Sequence, residues 1–414
     1  MKHSKFYAMA LLMSTALFTT ASCDSSSDDL ETPQPTVCPT EQPESLVHVV
    51  SASTNNAFPL FSEVDAITDK NENYTISPLS LSEALAIASN GANGDTRKQI
   101  AEIIGVNGMS KETVNETFNS LNDYLANADS KTTFSIANSV WIDEGFEVKP
   151  EFLNDKKLIG ETFYQNLSST KTMNDFNNWC DTKTNGCIKK VLSEPLSGDC
   201  MMVIANALYF KGMWKYQFDK NNTSEQDFYN SDGTKSKVKM MSQKCKFLAY
   251  SGENMDMVEL PYGNENFCMD VILPHEGKNL DECMKDFTLN TFLYEYVKDS
   301  KQTDVVVQMP RMKLECTKSL VKPLKAMGMT DAFLDGKADF TGISDSRIFI
   351  SDVKQSTYVN VDEEGTEAAA VTTVELTQKV NDNVPEFRMD HPFTYIIRER
   401  TTGTILFMGK VRKL

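Results

Sequence analysis

Residues 363–376 read Glu-Glu-Gly-Thr-Glu-Ala-Ala-Ala-Val-Thr-Thr-Val-Glu-Leu, a strand-like run placed where an exposed loop is expected, between two other strand-like segments. Successive strand side chains point to opposite faces. The even set, Thr366, Ala368, Ala370, Thr372, Val374 and Leu376, is small or apolar and carries no charge. The odd set, Glu367, Ala369, Val371, Thr373 and Glu375, holds the acidic residues. One face is suited to burial and the other to water. Gly365 supplies a pivot at the start, and no proline interrupts the run. A chain carrying such a segment must offer it two places, outside as a loop and inside a sheet as a strand.

The 414 residues, 40% of them hydrophobic, allow one large core. A net charge of −17 argues against nucleic acid or an anionic membrane surface as a partner. With only His3, His48, His275 and His391, and no His-Glu-x-x-His, Cys-x-x-Cys, Gly-x-Ser-x-Gly or phosphate-cradling glycine loop, neither metal nor cofactor is expected. The chain is read as not an enzyme.

The N-terminus reads as an export signal. Met1–Lys5 is basic, and residues 6–18 are mostly apolar but too short to span a bilayer. Thr19-Thr-Ala-Ser22 then leads into Cys23. A cysteine after Ala-Ser resembles the lipobox of bacterial lipoproteins, where that cysteine is acylated, although Thr20 stands where leucine is commonest. Ordinary cleavage nearby, leaving Cys23 a thiol, is the alternative. Residues 24–46 are acidic and proline-rich, without lysine or arginine, a composition that cannot order itself. Flexible-chain scaling gives this tether a reach of about 25 Å. The Cys23-Asp-Ser-Ser-Ser-Asp-Asp run resembles acidic export signals of Bacteroidetes lipoproteins; a plain solvated linker reads equally well. The expected organisation is a signal peptide over 1–22, a tether over 23–46 and one domain over 47–414. The expected location is the outer membrane or cell surface of a Gram-negative bacterium, or outside it. In that oxidising setting the cysteines leave their pairing open. Cys180 and Cys187 are close in sequence, yet most of the cysteines read as isolated buried thiols.

Within the domain, Ser77–Ala88 begins as a turn and becomes a helix, with Ser80 and Glu83 at capping-box spacing and Asn90-Gly91 at its end. Residues 135–142, 201–210, 304–308 and 347–361 read as strands, and 318–327 as an amphipathic helix. His391–Arg398 and Thr404–Val411 form a hairpin about Thr401-Thr-Gly403. Helices early and strands late indicate an α+β fold.

Asn73-Tyr-Thr-Ile-Ser-Pro-Leu-Ser-Leu-Ser82, Asn206-Ala-Leu-Tyr-Phe-Lys-Gly-Met-Trp214, Glu363-Glu-Gly-Thr-Glu-Ala-Ala-Ala370, His391-Pro-Phe393 and Leu406-Phe-Met-Gly-Lys-Val411 occur in this order. Together they resemble the serpins, over about residues 48–414. The resemblance implies three β-sheets, eight or nine helices and an exposed reactive loop, here about residues 363–385. It also implies a monomer that inhibits serine proteases as a suicide substrate. The protease cleaves the loop and becomes covalently bound, and the loop inserts into the central sheet. A serpin that does not inhibit and serves as a surface binding or structural protein is the alternative.

Site roles follow from the same resemblance. Gly365, Thr366, Glu367, Ala368, Ala369 and Ala370 match the hinge, where a threonine at 366 favours inhibition. Glu363, Arg311 and Trp214 match the residues at the loop's point of insertion. Ser77, Ser80 and Asn206 match the polar cluster that controls sheet opening. Gln355 stands where many relatives have a histidine bonded to the asparagine matched by Asn206. A Gln355–Asn206 bond without pH sensitivity is therefore expected. Family spacing puts Lys379 before the scissile bond and Val380 after it, which suits trypsin-like proteases. Elastase-like, subtilisin-like or cysteine proteases follow if the register differs. The implied partners are target serine proteases, and a membrane through the lipid anchor.

Overall fold

The computed structural model describes residues 44–366 and 384–414. In chain order its first elements are α1 (Glu44–Ile67), β1 (Tyr74–Ile76), α2 (Pro78–Gly91), α3 (Gly94–Ile104), α4 (Lys111–Asn127), β2 (Thr132–Asp143), α5 (Lys156–Ile159), β3 (Glu161–Gln165), α6 (Thr170–Lys183) and β4 (Met202–Met213). Then come β5 (Ser224–Tyr229), β6 (Lys235–Ser251), β7 (Met255–Pro261), β8 (Phe267–Pro274), α7 (Leu280–Met284), a π-helix over Thr291–Val297, β9 (Lys301–Pro310) and β10 (Met312–Ser319). The last are α8 (Val321–Ala326), β11 (Lys354–Val361), β12 (Gly365–Thr366), β13 (Glu386–Arg388), β14 (Phe393–Glu399) and β15 (Ile405–Val411). The expected α+β class is what is found.

The strands join into a 6-stranded sheet, in the order β10-β11-β12-β4-β2-β3, and a 9-stranded one, in the order β1-β15-β14-β8-β7-β6-β9-β13 with β5 on β6. Three sheets fit this arrangement if the larger is divided at β6. That strand pairs with β5 over Lys235–Met240, with β9 over Met240–Ala249 and with β7 over Leu248–Ser251, so its 17 residues fuse two strand groups.

Alternation along β4 positions both faces of the smaller sheet. Val203, Ala205 and Ala207 meet Trp179 and Phe176 of α6, beside Trp141 of β2. Met202, Ile204 and Asn206 face the other way, toward α2. Helix α2 is buried at every position except Ala84, so its sequence is apolar nearly all round rather than striped.

The start of α2 differs from the sequence reading. Ser77 is the N-cap, accepting from the Ser80 amide at 3.3 Å, and Pro78 takes the first turn, where its missing N–H costs nothing. Ser80 and Glu83 therefore form no capping box, and Glu83 is turned into the interior. Gly91 ends the helix as expected, but for packing reasons: a Cβ there would stand 2.0 Å from Ile343 Cγ1. The helix expected over 318–327 starts only at Val321, because Lys318 and Ser319 pair with Gln355 and Lys354 of β11. Sheet pairing overrides the local helical pattern. The strand expected from 347 begins at Lys354.

The C-terminal strand is tied down by charge. Lys410 and Arg412, both buried, meet Asp65 at the end of α1 and Asp281 in α7, with Lys410 Nζ donating at 3.0 and 2.8 Å. Burial alone would raise both carboxyls, but Lys410 and Arg412 outweigh it and hold them below the usual aspartate range. The stabilisation is complete above that range and drains away as pH falls through it. Asp281→Asn is expected to lower unfolding stability at pH 7 by about 2 kcal/mol. In denaturant melts at stepped pH, the gap to the unaltered chain should narrow from pH 4 downward.

Candidate functional site at the seam between β4 and β11

Strand β12 enters the smaller sheet as a wedge two residues long. Thr366 pairs with Val361 of β11 on one side and Gly212 of β4 on the other, and Gly365 pairs with Met213. Among the described residues, β4 and β11 have no register pair with each other. Gly365 has φ of 157°, and a Cβ on it would lie 2.0 Å from the Gly212 carbonyl oxygen. No larger residue fits this approach of strand to strand.

The turn that delivers β12 is locked from several directions. Asp362 donates its amide to the Gly365 carbonyl at 2.9 Å, while its Oδ1 accepts from the amides of Glu364 and Gly365. Glu363 is 1% exposed. It accepts from Arg311 Nε at 2.8 and 2.9 Å, from Arg311 Nη2 at 2.7 Å and from the Thr223 hydroxyl. Burial raises its carboxyl, but the bonds from Arg311 and Thr223 prevail and hold it below the usual glutamate range. Trp214 donates Nε1 to the Asp362 carbonyl at 2.9 Å, and its amide to that of Glu364 at 2.9 Å. The indole stacks on Tyr262 with ring centroids 4.5 Å apart. The Tyr262 hydroxyl in turn lies 2.6 Å from Thr366 Oγ1, and both side chains are buried. Glu363, Arg311, Trp214, Gly365 and Thr366 are thus brought together, along with Thr223 and Tyr262, which the sequence reading missed.

Lower on the seam the expected polar cluster divides in two. Gln355 of β11 does not bond Asn206. It forms a closed pair with the backbone of Ser77, accepting from its amide and donating to its carbonyl, each at 2.8 Å. Asn206 of β4 instead donates to Glu83 Oε2 at 3.2 Å and to Asn138 Oδ1 at 2.6 Å. Asn138 of β2, directly opposite Asn206 in register, also donates to Glu83 Oε2, at 2.8 Å, and to the Leu158 carbonyl. The expected Gln355–Asn206 bond is corrected for a geometric reason: the glutamine is occupied by the Ser77 backbone, and a buried glutamate takes the asparagine. Ser80 enters the cluster through its amide, bonded to Ser77 Oγ. Two signals pointed to Glu83 and Asn138. One is a lone acid in an otherwise apolar helix, and the other an asparagine within a strand, where that residue is disfavoured.

Lys379 and Val380, Glu367, Ala368, Ala369 and Ala370, and Cys23 with the signal segment lie outside the described residues. Among the described residues Cys180, Cys200, Cys245, Cys268, Cys283 and Cys316 are free thiols. Among the described residues one group, Glu259, Cys268 and Asp270, gathers ligand-type atoms within 4.8 Å. Arg398 already fills it, donating to Asp270 and Glu259 at 2.7 Å each.

Residues 51–414 match the family profile described as "Serpin (serine protease inhibitor)". The chain is 33% identical over 372 residues to an uncharacterized serpin-like protein of Methanosarcina mazei, covering 87% of this chain and 86% of that one. It is 33% identical to antithrombin-III of Mus musculus, covering 82% and 76%. The native-state crystal structure of tengpin, a thermophilic serpin, superposes with a TM-score of 0.79 at 30% identity, covering 91% and 96%. The bare reading of the chain as no enzyme is corrected to a positive one, a place among inhibitors of serine proteases. Over residues 51–414, from α1 to beyond its last strand, the chain belongs to the serpin family.

Proposed function

We propose that the chain inhibits trypsin-like serine proteases as a suicide substrate. The target attacks the bond between Lys379 and Val380. The chain ahead of the cut then continues β12 downward between β4 and β11, dragging the acylated protease with it before water can release it. The observation that carries this reading is the pairing of Gly365 and Thr366 on both sides, with β4 and β11, at the head of a run whose inward-parity residues bear no charge. Adding about ten residues to the sheet makes on the order of ten or more backbone hydrogen bonds. At about 1 kcal/mol net each, this gives a driving force of roughly 10 kcal/mol. Residues 384–414 stay in place without the covalent link, because β13, β14 and β15 are paired to β9, β8 and β1.

Supporting features lie at both ends. A lysine before the scissile bond suits a protease with an acidic specificity pocket. Acylation of Cys23, together with the acidic tether, would hold the inhibitor at the outer membrane or cell surface of a Gram-negative bacterium.

Incubation with trypsin is expected to give an SDS-resistant complex and, once SDS unfolds the chain, a separate peptide whose N-terminus is Val380. Free turnover of the chain by trypsin, with no complex, contradicts the assignment of that target. Thr372→Arg places a charge on the uncharged face of the run that follows β12, at a cost of several kcal/mol once insertion buries that face. That variant should become a substrate, with the number of inhibitor molecules consumed per protease rising on the order of tenfold.

Arg311→Ala leaves the Glu363 carboxylate without its main partner. Because Arg311 is half exposed, the loss is expected to be about 1–3 kcal/mol, at the lower end for a broken buried pair. It should appear in chemical denaturation at pH 7 and shrink below pH 4, as the carboxyl protonates.

A further inference from the structure

Helix α2 holds both sides of the seam. Its first turn is bonded to β11 through Ser77 and Gln355, and its middle is bonded to β4 and β2 through Glu83, Asn206 and Asn138. Widening the seam must strain one of these attachments. The first is a backbone–amide pair with nothing to titrate. The second centres on a carboxyl with no exposed surface.

That carboxyl is short of one hydrogen. Glu83 Oε2 accepts from both asparagines, while Oε1 has no partner. The side-chain oxygens of Asn206 and of Asn122, the α4 residue facing the same carboxyl, also lack donors. A proton on Oε1 adds one donor to a buried cluster that holds more acceptors than donors, and removes an uncompensated charge from the interior. We propose that Glu83 is a proton-operated latch on sheet opening: protonated, it holds α2 to β2 and β4, and ionised, it lets them part.

The surroundings keep this titration local. The groups facing Glu83 are amides: Asn122 from α4, Asn138 from β2 and Asn206 from β4, with the Leu158 carbonyl of α5 behind Asn138. The charged neighbours of these residues in sequence, Asp123 and Lys157, pair with each other at the surface at 2.8 Å. Burial also raises the carboxyls of Asp270 and Asp362. Burial would lower the imidazole of His391, but its bonds to Asp390 and the Pro274 carbonyl raise it. Asp270 and His391 are bonded within the 9-stranded sheet, and Asp362 lies in the turn ahead of β12, its Oδ1 held by the amides of Glu364 and Gly365. Burial pushes the Glu83 carboxyl up to about 7, against the pull of the asparagine bonds. An opened seam admits water and returns it toward the ordinary value, so the closed form holds the proton more tightly. Acid therefore favours the closed sheet, and that advantage is lost as pH rises from the ordinary carboxyl range through about 7.

The latch rests on the insertion reading above, and one experiment separates the two. A synthetic peptide copying residues 366–376 is added to the purified chain between pH 5 and pH 8, and its incorporation is timed by native gel shift. The expected rate rises on the order of tenfold or more across this range and levels off above about pH 7. In Glu83→Gln, which keeps the amide geometry without the titration, it should stay slow and flat. On the unaltered chain, insertion near pH 6 should release close to one proton, measured by pH-stat, which tests the latch even if the variant fails to fold. A flat rate in the unaltered chain, the same slope in Glu83→Gln, or no proton release overturns the latch and leaves insertion standing. A peptide that inserts at no pH overturns the insertion reading and the latch with it.

Discussion

The attachment of α2 to both sides of the β4–β11 seam is the constraint on which the rest of this molecule depends. A sheet able to accept a further strand must be able to open, yet it must not open unprompted. Here the resistance is local and polar. Ser77 and Gln355 close one side with paired backbone bonds, and Glu83 with two asparagines closes the other. The surrounding layers are apolar and close-packed, so they move as bodies rather than deform. The seam is where a modest number of hydrogen bonds sets the balance between two packings.

The upper end of the seam shows how the strand is poised. Asp362 turns the chain and Glu363 is fastened by Arg311 and Thr223. Gly365 allows an approach no side chain permits, and Thr366 is received by Tyr262, itself stacked on Trp214. Each contact fixes the direction of the next residue in the chain. The outcome is that Gly365 and Thr366 stand between β4 and β11 at the head of the seam. Their continuation is encoded in the uncharged parity of the residues that follow.

Much of this was legible in the sequence, for identifiable reasons. Parity exposed the two-faced segment, because the strand period of 2 is strict. Glu363, Arg311, Trp214, Gly365 and Thr366 could be named because their motifs are local and distinctive. Sequence reasoning failed where polar groups meet across layers. Ser80 and Glu83 have good capping-box spacing, which masked both the cap at Ser77 ahead of Pro78 and the one hint that Glu83 turns inward, its place as the lone acid of the helix. Asn138 on β2 and Tyr262 just after β7 are distant in sequence, and only the register of β2 on β4 and the stacking on Trp214 bring them to the site. The fusion of two strand groups through β6 was hidden because one strand can pair with different neighbours along its length.

The central claim, that the sheet gains a strand when the chain is cut, is tested most directly by comparing thermal unfolding of the intact chain with that of the chain cleaved between residues 366 and 384. About 10 kcal/mol of added sheet pairing should raise the unfolding midpoint of the cleaved form by roughly 10–15 °C. An unchanged or lowered midpoint after complete cleavage would contradict insertion, and with it the account of how this chain traps a protease.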